Sequence, residues 1–104
     1  MHPLSLSQIV NKKAEVKILS PRNGDFVLSP IVLSLESSQK INILKVYLNN
    51  RLISTFNDIS AGIRNLQLEV ESLALQNKLV IEGVFSNAES FRKELIIFKK
   101  VSND

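Results

Sequence analysis

At 104 residues and 11.7 kDa the chain has room for one domain, which on folding hides roughly 65% of its unfolded surface, enough for a core without staples. Hydrophobic residues at 44%, charged residues at 22%, three Gly and three Pro describe a globular chain and exclude a collagen-like or disordered one. Zero cysteine removes disulfides, thiolate metal sites and a cysteine nucleophile, no apolar run approaches the roughly 18 residues of a membrane span, and a net charge of +3 makes only a mild field.

The leading segment, residues 1–13, lacks the order of features of a signal peptide: its lysines come last and its apolar residues are scattered. It reads as a linker. Because Leu4 and Leu6 alternate with Ser5 and Ser7, the alternative is an edge strand within the domain or on a neighbour. Met1 is either the start of a cytoplasmic protein or a boundary inside a longer chain.

From Ala14 onward the apolar residues have period two and are interrupted by turn signals, the pattern of an all-β domain. The first strand, Ala14 to Leu19, turns Ala14, Val16 and Ile18 to one face; Pro21, Asn23 and Gly24 then form a turn, since Pro presets φ and the other two accept positive φ. Phe26 to Leu28 is expected to plug the end of the core before Pro30. The second strand, Ile31 to Ser37, turns Ile31, Leu33 and Leu35 inward, and the third, Ile43 to Asn49, turns Leu44, Val46 and Leu48 inward. Asn49-Asn50 suits a two-residue hairpin, and Arg51 to Phe56 returns antiparallel.

Asn57-Asp58 and Ala61-Gly62 bracket the next connection. Leu66, Leu68 and Val70 alternate with Gln67, Glu69 and Glu71, a strand signature that outweighs a helix over residues 66–79. Leu73 and Leu75 are expected to fold over the core. Leu79, Ile81, Gly83 and Phe85 form the inner face of the sixth strand, and Phe91 to Val101 is the last. Seven strands over residues 14–101, with residues 102–104 as a tail, predict a two-sheet antiparallel sandwich.

Three segments carry a resemblance. Val16-Lys17-Ile18-Leu19-Ser20-Pro21-Arg22-Asn23-Gly24-Asp25 is an extended run ending in Pro-x-x-Gly, and Leu44-Lys45-Val46-Tyr47-Leu48-Asn49-Asn50-Arg51-Leu52-Ile53 is a hairpin. Leu75-Gln76-Asn77-Lys78-Leu79-Val80-Ile81-Glu82-Gly83-Val84-Phe85 leads through Asn-x-Leu into the penultimate strand. In this order they resemble the bacterial immunoglobulin-like domains over about residues 14–101. Asn50 replaces the family's usual Gly, and Ser86-Asn87-Ala88-Glu89 replaces an acidic loop, removing the cluster that would hold calcium. The resemblance implies an immunoglobulin-like or fibronectin-III-like sandwich serving as spacer or binding module in extracytoplasmic proteins. Related sandwiches occur in tandem in surface proteins and at the C-terminal end of some penicillin-binding proteins.

Chemistry is sparse. The single histidine, His2, sits in the leading segment, whereas a Ser-His-Asp arrangement needs a held imidazole. Asp25, Asp58 and Asp104 are far apart, without metal-ligand spacing. The three glycines are isolated, and Gly83 in a strand interior points to close aromatic or backbone packing. The expectation is a non-catalytic domain with no cofactor and no metal.

If the sheets are those of an immunoglobulin-like sandwich, the third, sixth and seventh strands adjoin, and Ile43, Tyr47, Val80, Val84, Ile96 and Phe98 share an outer face as a candidate interaction surface. A register slip in Leu95-Ile96-Ile97-Phe98 would bury some of them. The leading expectation is a spacer or protein-interaction module of a larger cell-envelope protein, with a neighbouring domain, a surface protein or a cell-wall polymer as partner. The alternative is a stand-alone cytoplasmic protein that binds an anionic partner, nucleic acid included, through Lys12, Lys13, Arg92, Lys93, Lys99 and Lys100. Those cations are scattered pairs, which argues against nucleic acid. A third reading, a hydrolase of cell-wall sugars, needs a carboxylate pair in a cleft.

Overall fold

Alternating buried and exposed side chains organise residues 13–101, the part of the chain that the computed structural model describes. Among these residues eight strands form and no helix: β1 Val16–Ser20, β2 Phe26–Val27, β3 Ile31–Ser37, β4 Ile41–Leu48, β5 Arg51–Ile59, β6 Gly62–Leu68, β7 Gln76–Phe85 and β8 Ser90–Lys99. One sheet has the order β1-β3-β6 and the other β2-β8-β7-β4-β5. All pairings are antiparallel except β2 with β8, which is parallel. The two sheets close on a core in which Leu33, Leu35, Leu44, Val46, Ile81 and Ile97 lose all contact with water.

The turn residues act as their chemistry requires. Asn49 and Asn50 adopt φ of 52° and 71°, the left-handed pair of a type I′ hairpin whose twist matches its strands. Asn49 does more: its N–H donates to the Lys78 carbonyl at 2.9 Å, and its Oδ1 accepts the Lys78 N–H at 2.8 Å. Its Nδ2 donates to Oδ1 of Asn77 at 3.0 Å. Asn77 is 1% exposed, so its amide must be satisfied from within. Oδ1 also accepts the Ala74 N–H at 2.9 Å, while Nδ2 donates to the Ala74 carbonyl at 2.8 Å and reaches the Ile97 carbonyl at 3.5 Å. One amide thereby joins the β4–β5 hairpin, the segment before β7, and β8.

Gly83 lies in β7 directly opposite Phe91 of β8. A Cβ at this position would come within 2.5 Å of the Phe91 ring and 3.1 Å of the Ile43 carbonyl. The ring in turn packs on Phe85, with centroids 4.9 Å apart. Close aromatic packing is therefore the reason for a glycine here.

Several elements differ from the sequence pattern. β2 is an eighth strand; Phe26 and Leu28 are exposed and only Val27 reaches the core, because two ladder positions against β8 fix which side chain turns inward. Asn57-Asp58 is no connection: pairing with β4 continues to Ile41↔Ile59, and the positive φ of Asp58 (54°) lies within the strand. β6 begins at Gly62 and ends at Leu68, so Glu69 and Glu71 leave the sheet. Leu73 packs against the core as expected, but Leu75 is exposed, its carbonyl taken by the Lys99 N–H at 2.9 Å. The last strand stops at Lys99 rather than Val101.

Two predictions follow from this packing. Gly83→Ala should cost about 1–3 kcal/mol in urea unfolding as an overpacked site, and most of that cost should vanish in a Phe91→Ala background, where the clashing ring is gone. In the hairpin, Asn49→Gly keeps the positive φ but removes the acceptor of the Lys78 N–H and one of the two donors to Asn77 Oδ1, and the loss of two hydrogen bonds should cost about 1–3 kcal/mol. Asn50→Gly should change stability by no more than about 1 kcal/mol. Equal effects at the two positions, read from unfolding midpoints, would show that the Asn49 side chain is idle.

Candidate interaction surface

The five-stranded sheet sets β4, β7 and β8 side by side, and their register decides what its outer face carries. Ile43 stands opposite Val84, and Tyr47 opposite Val80. Across the next ladder Lys78 faces Ile96, Gln76 faces Phe98, and the register runs unbroken to Val84↔Ser90. No slip occurs in the Leu95–Phe98 run: Ile97 is buried, and Ile96 and Phe98 are partly exposed on the other side. All six candidate residues thus lie on one face.

They do not form one continuous patch. A cross-strand row of Lys45, Glu82 and Arg92 separates the Ile43–Val84 pair from the Tyr47–Val80 pair. Arg92 Nε lies 3.5 Å from Glu82 Oε2 and its Nη1 3.6 Å from Glu94 Oε1, while Lys78 Nζ lies 3.8 Å from Glu94 Oε2. These charges divide the face into three apolar islands, the third being Ile96 with Phe98. Val80, flanked by Tyr47 and Glu94, is buried. Each exposed ion pair is worth well under about 1 kcal/mol, so the row matters more for what it excludes than for stability. Over the first island runs a shallow groove of about 510 Å³ whose lining includes Ile43, Val84 and Ser90, with Lys45, Glu82 and Arg92 along one side.

The candidate cations are dispersed. Lys12 and His2 lie outside the described residues, as does the alternating Leu4–Leu6 segment. Arg92 is engaged on the outer face, whereas Lys93, the next residue of the strand, points to the opposite side. There it shares a groove with Lys13, Glu15 and Glu89. Lys99 and Lys100 lie at the far end of β8, on the order of 20 Å from Arg92 at the rise of a strand. Glu69 and Glu71 are both exposed, and Glu69 accepts a hydrogen bond from the Gln67 amide at 2.8 Å.

A pattern of alternation does not reveal the apolar side chains left outside at the end of β8: Phe26, Leu28, Leu75 and Val101. Their signal is the brevity of β2. Confined between Asp25 and Pro30, the Phe26–Leu28 run is too short to bury both its faces.

No protein-family model matches the chain, and no curated protein matches it by sequence. In structure it is similar to the fibronectin(III)-like modules of Clostridium thermocellum CbhA, with a TM-score of 0.54 and 11% sequence identity, over 83% of this chain and 96% of that one. Identity so low speaks to the fold: the chain is an immunoglobulin/fibronectin-III-like β-sandwich.

The islands can be told from core by substitution. Val84→Lys combined with Phe98→Lys should leave a cooperative thermal transition, with a loss of no more than about 1 kcal/mol. Val80→Lys, which drives a charge into a buried site, should cost about 1–3 kcal/mol. Unfolding of the double variant would assign Val84 and Phe98 to the core.

Proposed function

We propose that this chain is a non-catalytic immunoglobulin/fibronectin-III-like module of a larger bacterial cell-envelope protein, acting as spacer or protein-interaction unit. The observation that supports this most is the likeness to the CbhA modules, which spans 96% of the matched chain, so that residues of this sandwich correspond to one whole module. A module of this kind takes its role from the chain that carries it. The segments around Pro21–Gly24, Asn49–Asn50 and Asn77–Leu79 add the resemblance to domains of surface proteins and of some penicillin-binding proteins, and with it an association with peptidoglycan synthesis.

Contacts with neighbouring domains or a surface partner would use the outer face around Tyr47, Val84 and Phe98, where small apolar islands and fixed charges favour a specific, modest interface over a greasy one. The alternative of a cytoplasmic protein binding nucleic acid is disfavoured by the separation of Arg92 and Lys93 onto opposite sides and of Lys99 and Lys100 to one end.

The test is an immunoblot of fractionated source cells with an antibody raised against residues 14–101. The expected band lies in the envelope fraction, far above 11.7 kDa. A band near the domain's own mass in the soluble cytoplasm would overturn the reading.

A further inference from the structure

Large apolar side chains left exposed are unevenly distributed over the described residues. Of eight such side chains, four surround the last residues of β8: Phe26 at 68% exposure, Leu28 at 58%, Leu75 at 71% and Val101 at 58%. Backbone hydrogen bonds set the segments that carry them on the two sides of this strand end. The Phe98 N–H donates to Asp25 at 2.8 Å and the Lys100 N–H to Val27 at 2.9 Å, which places β2 on one side of β8; the Lys99 N–H donates to Leu75 at 2.9 Å on the other. The Phe26 and Phe98 rings tilt against each other with centroids 5.4 Å apart. Scattered single apolar residues need no explanation, but a cluster fixed by the strand ladder does.

The same backbone carries Lys99 and Lys100, and the turn entering β2 carries Arg22. None of the three belongs to an ion pair among the described residues. Asp25, three residues from Arg22, accepts the Arg22 backbone N–H at 2.8 Å. None of the five principal grooves is lined by Phe26, Leu28, Leu75, Phe98 or Val101. A second copy placed against the cluster would bring Lys99 and Lys100 against their equals. A fluid anionic surface has neither difficulty, since apolar side chains enter the boundary between headgroups and acyl chains while ammonium groups meet phosphates.

We propose that the end of the sandwich formed by Phe26, Leu28, Leu75, Phe98 and Val101 with Lys99 and Lys100 docks on an anionic lipid bilayer. The contact is peripheral and reversible: it uses a few side chains and no spanning segment, and it draws on both apolar burial and charge. It does not depend on the envelope reading above, because a cytoplasmic leaflet also supplies anionic headgroups.

The chain has no tryptophan, so Phe26→Trp supplies a single reporter at the centre of the cluster. Mixed with vesicles of phosphatidylcholine and phosphatidylglycerol, its emission should shift to the blue and be quenched by brominated acyl chains; with phosphatidylcholine alone it should not. In sedimentation with the same vesicles, Lys99→Gln with Lys100→Gln should lower partitioning about thirtyfold at low salt, and Phe26→Ser with Leu28→Ser should abolish it while the circular dichroism of the folded sandwich persists. Unchanged Trp emission, or full binding by the Phe26→Ser/Leu28→Ser variant, would overturn the proposal. So would a concentration-dependent dimer in sedimentation velocity, removed by those two substitutions and accompanied by no vesicle binding, because it would assign the cluster to a contact between copies.

Discussion

The geometry of one end of this sandwich depends on the buried amide of Asn77. A primary amide taken out of water must find partners for two N–H groups and a carbonyl oxygen or lose several kcal/mol of solvation. Here it finds them on Ala74, Asn49 and Ile97, which belong to three parts of the chain distant in sequence. Those demands fix the path of the segment before β7 against the β4–β5 hairpin, and Asn49 completes the connection by gripping both backbone groups of Lys78. An aliphatic residue at position 77 would fill the volume yet leave the position of that segment unspecified. Apolar burial between the sheets supplies the driving force; the amide selects one arrangement of the loops over its competitors.

The same division of labour governs the outer face of the larger sheet. Register brings Ile43, Tyr47, Val80, Val84, Ile96 and Phe98 to one side, and by composition alone that face would be a site for indiscriminate association. Glu82, Arg92, Glu94 and Lys78 intervene at rungs that the ladder dictates, and their long side chains lie between apolar neighbours. The consequence is a surface that can take a partner only where its own charges and apolar groups match the spacing.

Much of this was legible in the amino-acid order, and the exceptions share a cause. Alternation identified the inner faces of β1, β3, β4 and β7, because a strand with one buried face must repeat every second residue. Asn49 and Asn50 announced the hairpin through their tolerance of positive φ, and Gly83 announced a close approach, which the Phe91 ring supplies. What alternation does not carry is where pairing stops. β5 continues through Asp58 because β4 still offers Ile41 as a partner for Ile59, although an Asn-Asp pair has the chemistry of a turn. Phe26 and Leu28 carry the same apolar character as core residues, and only the brief parallel ladder with β8 turns them outward. The islands of the outer face likewise rest on pairings between residues about ten apart, as in Glu82 with Arg92, which a local pattern does not show.

Open sheets have edges, and an unprotected edge is where a foreign strand adds. β6 lies at one edge of the three-stranded sheet, and there the Arg64 guanidinium donates to the carbonyls of Ala61 and Ile63, each at 2.9 Å. β5, at the edge of the five-stranded sheet, is bent by the positive φ of Asp58 and by a register shift opposite Val46 and Tyr47. β2 covers β8 only near Phe98 and Lys99, and the uncovered stretch carries Arg92, Lys93 and Glu94, with Lys93 on the side that faces the other sheet. Bulges, a side chain engaging edge carbonyls and a charge turned inward all oppose the addition of a foreign strand. Applied at the β6, β5 and β8 edges of one small domain, they disfavour backbone pairing at each of these and leave the side chains there as the means of contact.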